Sequence, residues 1–282
     1  MSQISAQAVK TLRDETGAGM MDCKRALSDA EGDAQKAMEL LRERGLAKAG
    51  KRAGRATSEG TLGMSIEGGV ASLIELSCET DFVAKTDEFQ ASAASIAQAV
   101  AQASAASDVE AALLCKLGEG TVGDELGAIA SKVGENVVLK RVGGLSVENG
   151  LTGGYIHAGG KLGVIVGLQG ASGGDATALA KDIAMHVAAT DPTPLAVDRD
   201  GVAAELVEKE KDLLRRQAQQ SGKPENVVER IVDGRMGKFF QEFCLVEQAF
   251  VKDPDKSVKE LLPEGASITG FVRFKVGEGE GE

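Results

Sequence analysis

Apolar residues recur at helical spacing over the first fifty positions and then give way to strand-like runs. Ser5 is suited to cap a first helix carrying Val9 and Leu12, and the turn Thr16-Gly17-Ala18-Gly19 breaks it. Met20 to Ala30 reads as a second helix with Met21 and Leu27 inward. After Glu31-Gly32, Asp33 reads as the N-cap of a third helix with Ala37, Leu40 and Leu41 on one face and Gly45 at its end. Three short helices bury too little to carry chemistry alone, so this segment is expected to be a docking module.

The middle of the chain holds an internal repeat. Met64-Ser65-Ile66-Glu67 passes through Gly68-Gly69 into Val70–Leu76, and Tyr155-Ile156-His157-Ala158 passes through Gly159-Gly160 into Lys161–Gly167, at a constant offset of 91 residues. Gly-Gly between alternating apolar runs points to a two-residue β-hairpin, because the tight hairpin turns need positive φ. Each hairpin precedes an apolar helical face, Phe89, Ala93, Ile96 and Val100 in the first copy and Leu179, Ile183 and Val187 in the second. Each copy then offers a third strand, Val137–Val142 or Phe271–Val276.

The second copy is interrupted. Asp191-Pro192-Thr193-Pro194 ends its helix, and two helical stretches, Val202–Gln220 and Glu225–Phe243, flank the turn Ser221-Gly222-Lys223-Pro224. Val228, Ile231, Val232 and Met236 point inward in this helical hairpin, which is expected to have no core of its own. The fold expected is α+β: an N-terminal three-helix module (1–54), a core of two related subdomains, each a three-stranded antiparallel sheet with a helix (55–143; 144–189 with 229–282), and an inserted helical hairpin (190–228).

Composition narrows the function. The 282 residues carry 32 Lys and Arg against 43 Asp and Glu, a net charge of -11 that argues against a direct nucleic-acid partner. The local basic run Lys48, Lys51, Arg52 and Arg55 reads as a solvated linker. Cys23, Cys78, Cys115 and Cys244 form no CxxC pair and read as free cytosolic thiols, while no secretory leader or membrane span is evident. A cytoplasmic protein without a membrane partner is expected. Of eight Phe, only Phe82 and Phe89 precede residue 239.

Catalytic constellations are scarce. No phosphate loop, GxSxG elbow or metal-ligand spacing occurs, so no cofactor and no bound metal are expected. His186 falls on a helix face and reads as a satisfied core histidine, whereas His157 sits at a hairpin tip, open to contact. The one nucleophile–base pairing on offer is Cys78 with His157. Between strand and helix lies Cys78-Glu79-Thr80-Asp81-Phe82-Val83-Ala84-Lys85, with Asp87 read as the cap of the next helix and Gln90 completing a capping box. Phe82 either folds back beneath this loop or, with Asp81, forms a protruding wedge.

The strings TGAGMMDCK (16–24), TDFVAK (80–85) and AMHVAA (184–189), with Gly234-Arg235-Met236, resemble the bacterial elongation factor Ts family over nearly the whole chain. The resemblance implies a guanine-nucleotide exchange factor, not an enzyme, whose partner is elongation factor Tu. It implies a UBA-like N-terminal module and a coiled-coil character for the hairpin. Thr80, Asp81, Phe82 and Val83 would dislodge magnesium from the GTPase, and Met20, Met21, Lys24, Val133, Gly134 and His157 would contact it. A homodimer or a 2:2 complex is compatible with the hairpin. Some members end in a C-terminal helix that also grips the GTPase; this sequence stops at Glu282, so that contact is expected to be missing. The alternative is a passive interaction scaffold that binds without exchanging nucleotide.

Overall fold

The computed structural model describes residues 4–16, 18–52, 54–103, 108–220 and 224–278, with backbone alone over 45–51. Helices α1 (Ala6–Thr16), α2 (Met20–Asp29) and α3 (Ala34–Arg52) form the N-terminal module around Val9, Leu12, Cys23, Ala26, Leu27 and Ala37. Ser5 Oγ accepts the Ala8 N–H, and Asp33 Oδ1 that of Lys36, so both expected caps are present. Two expectations fail here. Met21 is 63% exposed: the buried stripe is Cys23, Ala26 and Leu27, and two residues of helix place Met21 roughly 160° around from Cys23. Gly45 does not end α3, which runs to Arg52. A mid-helix glycine costs about 1 kcal/mol, and docking of the helix offsets it: Arg42 pairs with Asp124 at 2.6 Å and Arg52 Nη1 donates to the Ala130 carbonyl at 2.9 Å. Of the basic run, Arg52 and Arg55 make internal contacts, while the side chains of Lys48 and Lys51 lie outside the described residues.

The repeat is real. In the first subdomain β1 (Glu59–Glu67) and β2 (Val70–Cys78) form a hairpin, followed by α4 (Asp81–Ala84), α5 (Asp87–Gln102), α6 (Val109–Leu113), the short pair β3 (Lys116–Leu117) and β4 (Gly120–Thr121), α7 (Val122–Val133) and β5 (Val137–Ser146). The sheet order is β1-β2-β5, all antiparallel. In the second, β6 (Gly150–Ile156) and β7 (Leu162–Gln169) precede α8 (Gly174–Ala189), and β10 (Ser267–Lys275) closes the sheet β10-β7-β6. Between them come α9 (Ala204–Gln219), α10 (Glu225–Phe243) and the pair β8 (Ala249–Phe250) and β9 (Asp253–Ser257).

The 91-residue offset survives in the register: Ile66 faces Ala71, and 91 positions on, His157 N–H donates to the Leu162 carbonyl at 2.8 Å. The first turn is the two-residue Gly68-Gly69 expected, with Gly68 at φ +62°. The second opens into a wider loop in which Gly160 N–H bonds back to His157 O. Each tip grips the other sheet: Thr152 N–H donates to Gly68 O and Leu62 N–H to Gly160 O, both at 2.8 Å. The sheets pack through Leu62, Leu73 and Ile165, with Val272 and Phe274 against them.

The helices cover the outer faces. Phe89, Ala93, Ile96 and Val100 of α5 are buried against Ile74 and Leu76, and Ile183 and Val187 of α8 against Val164 and Val166. Gly63 permits the first contact, since a Cβ there would run into the Ala93 carbonyl. The cap of α5 is Thr86, not Asp87: its hydroxyl accepts the Phe89 N–H, leaving Asp87 in the first turn. The turn expected at 221–224 lies largely outside the described residues. Helices α9 and α10 do share a small core of Leu214, Ala218, Val228, Val232 and Met236, contrary to expectation. The sequence boundary at 228 falls within α10.

Candidate functional site

The turn carrying Phe82 is built where β2 leaves the first sheet. Thr80 is extended, at φ -126° and ψ 151°, and its Oγ1 accepts the Val83 N–H at 3.4 Å, capping the single turn α4. Val83 and Ala84 pack onto the core below. That fixes the opposite side of the turn outward, and Phe82 is 81% exposed. The alternative in which Phe82 folds under the loop is thereby excluded. Phe82 is therefore a surface residue and not a core one.

Two neighbours brace the turn from behind. Gly134, at φ +79°, ends α7 and turns the chain so that Glu135 faces the start of the loop. Glu135 Oε2 accepts the backbone N–H groups of Glu79 and Thr80, each at 3.0 Å, and Oε1 accepts the Thr80 hydroxyl at 2.6 Å. In return, Glu79 Oε1 accepts the Asn136 N–H at 2.7 Å and takes an ion pair from Arg55 at 3.3 Å. The Asn136 N–H, then Arg55, hold the Glu79 carboxyl below its ordinary value. The linker from the N-terminal module is thereby tied to the root of the turn.

The hairpin tip of the second sheet meets the same end of the molecule. Lys161 Nζ donates to Glu59 Oε2 at 2.6 Å, and Glu59 pairs with Cys78 across the β1–β2 ladder. His157 is exposed there, with its Nδ1 2.9 Å from the Tyr155 hydroxyl. Asp81 is half-exposed and paired: Lys85 Nζ donates to its Oδ2 at 2.5 Å and lowers its pKa, with Lys161 adding to the effect.

The expected site residues therefore fall into two groups. Thr80 is bonded to Glu135, next to Gly134, Val83 and Val133 pack on the same core, and Asp81 is within electrostatic reach of Lys161 on the hairpin that bears His157. Within the first group the surroundings differ, because Thr80 and Val83 anchor the turn, Asp81 is paired with Lys85 and Phe82 faces out. Met20, 56% exposed, and the exposed Met21 and Lys24 lie on α2, on a module whose core is separate from the one beneath the turn. Sequence reasoning missed Glu135, Asn136 and Arg55. A Glu following a helix-ending glycine carries no signal of a contact 55 residues away.

The pairing of Cys78 with His157 is not formed. The Cys78 thiol is buried, donates to the Thr80 carbonyl at 3.2 Å, and is pushed up to about 12 by burial and by the Glu135 carboxylate. All four cysteines are free and buried. His186 is the satisfied core histidine expected, with Nε2 3.0 Å from Gln248 Oε1. Among the described residues no cluster of His, Cys, Asp or Glu is placed to hold a metal ion, and no helix is long and apolar enough to cross a membrane.

The chain is similar to known proteins over nearly its whole length. A family model described as Elongation factor TS matches residues 79–278, from the root of the Phe82 turn to the end of the second sheet. The chain is 49% identical over 280 residues to a protein named elongation factor Ts from Methylococcus capsulatus, covering 98% of this chain and 93% of the relative. It is 46% identical over 290 residues to the protein of that name from Chlorobium phaeobacteroides, and 47% over 290 residues to that from Prosthecochloris aestuarii, covering 98% of this chain and all of each relative. These alignments take in the N-terminal module as well.

Proposed function

The chain belongs to the elongation factor Ts family, and from that premise we propose that it drives GDP release from the GTPase elongation factor Tu by inserting the Asp81–Phe82 turn beside the nucleotide. The observation that carries this reading is Phe82, 81% exposed on a capped turn that is braced on two sides. A translational GTPase holds GDP through a phosphate loop and a magnesium ion. Phe82 is the wedge that shifts partner side chains, and the ionised Asp81 competes for polar contacts around the metal.

The energies suffice. Burying a Phe removes about 150–250 Å² from water, or roughly 4–6 kcal/mol as an upper bound at about 25 cal/mol/Å². Each ~1.4 kcal/mol directed against the GDP-bound state is tenfold in nucleotide affinity. One wedge with supporting contacts therefore reaches several decades. Exposed Met20, Met21 and Lys24 supply a second contact from a UBA-like docking module at 1–54, and His157 a third from the hairpin tip. The two subdomains at 55–143 and 144–189 with 229–282 act as the frame, and the helical hairpin is a separate contact arm.

Linkage supplies the test. A factor that weakens GDP binding must itself be weakened by GDP to the same degree. Light scattering of the chain with nucleotide-free elongation factor Tu should show a complex that excess GDP dissociates. A complex indifferent to GDP would leave only passive scaffolding.

A further inference from the structure

We propose that Glu135 is a positioning residue of the exchange device, setting the presentation of Phe82 through the Thr80 hydroxyl; this rests on the reading of Phe82 as the exchange wedge. The hydrogen bonds form a directed chain. Glu135 Oε1 takes the single Thr80 hydroxyl proton at 2.6 Å. The Thr80 oxygen is then left with lone pairs alone, and one accepts the Val83 N–H at 3.4 Å to cap the turn. Glu135 Oε2 meanwhile takes the N–H groups of Glu79 and Thr80, which fixes the backbone leading into the turn. A four-residue helix has too few internal bonds to hold itself, so its geometry comes from these outside partners. Phe82 has no packing of its own to orient it, being 81% exposed.

The bonds that fix the turn end on one side chain. Three donors converge on the two carboxylate oxygens. In Glu135→Ala all three donors lose their acceptor at once, whereas Gln at this position can keep both backbone bonds through its Oε and donate its NH2 to the Thr80 oxygen. The same carboxylate follows Gly134, so its hydrogen bonds tie the end of α7 to the root of the wedge. A partner that presses on Val133-Gly134 thereby acts on Phe82 as well.

The test is a double-mutant cycle on the full chain, read by release of fluorescent GDP from elongation factor Tu at saturating chain. Glu135→Ala should slow release roughly tenfold. Added to Phe82→Ala, it should cost nothing more, because its effect runs through the wedge. Amide exchange in the free variant should quicken at Val83–Lys85 while α5 keeps its protection. Release by Glu135→Ala at the parent rate, or the same tenfold loss in the Phe82→Ala background, would overturn the proposal. If the parent and Phe82→Ala release GDP equally fast, the wedge reading itself fails, and the proposal falls with it.

Discussion

His186 Nδ1 accepts the Val251 backbone N–H at 3.2 Å inside the second subdomain. Since that N–H can only donate, Nδ1 is the bare nitrogen, and the ring proton sits on Nε2 facing Gln248 Oε1 at 3.0 Å. The neutral ring is thus built into the fold, and burial holds its pKa below the ordinary 6.5, with Gln248 opposing only in part. As pH falls below 6.5 the unfolded chain binds a proton that the folded chain refuses, so stability is complete above that value and declines on the acid side. His186→Gln should lose this component. Urea midpoints of parent and variant, compared at about pH 7.5 and 5.5, should fall more steeply for the parent; equal slopes would contradict the assignment.

Arg141 and Glu75 join the two halves. Glu75 is buried, and its Oε2 accepts Arg141 Nε at 2.7 Å, while its Oε1 accepts the Gly277 N–H at 3.2 Å. Arg141 Nη2 also donates to the Lys275 carbonyl at 2.7 Å, and its guanidinium lies over the Phe274 ring at 4.6 Å. Arg141→Met strands a buried carboxylate and should cost about 3–5 kcal/mol by urea unfolding. A cost below about 1 kcal/mol would mean that water reaches Glu75.

Lys85 holds the Asp81 carboxyl below its ordinary value. With the Lys85 hydrogen bond removed in Lys85→Ala, the Asp81 carboxyl should titrate closer to its ordinary 3.8, upward from its lowered value. In the parent the charged form persists to lower pH. Carboxyl carbon chemical shifts followed through acid titration of both chains would reveal it, and an unchanged Asp81 midpoint would remove Lys85 as the cause.

The repeat, the helix faces and the third strands were legible in the sequence because each rests on local periodicity that packing then obeyed. The 91-residue offset carried through to strand register for that reason. Met21 and Gly45 were misread where packing decided: the face α2 buries is chosen by α1 and α3, and α3 is continued by its dock on α7. Helix α7 is legible in the sequence, with Val122, Leu126, Ile129 and Ala130 at helical spacing behind the Thr121 cap and before Gly134, whereas α6 and the short elements of 245–262 are too brief to show a period. Phe82 stood out by composition alone, but its exposure depends on Thr80, Val83 and Glu135, and the last of these is fixed only by tertiary structure.

Two phenylalanines seven residues apart separate fold from function. Phe89 is 1% exposed, and Phe89→Ala should cost about 3–5 kcal/mol of stability. Phe82, in water, should contribute within about 0.5 kcal/mol. The decisive measurement is stopped-flow release of fluorescent GDP from elongation factor Tu, with parent chain and Phe82→Ala each at saturation and with matched urea midpoints. The expected result is an unchanged midpoint and release slowed at least about tenfold; release as fast as with the parent would contradict the assignment of Phe82 as the exchange wedge.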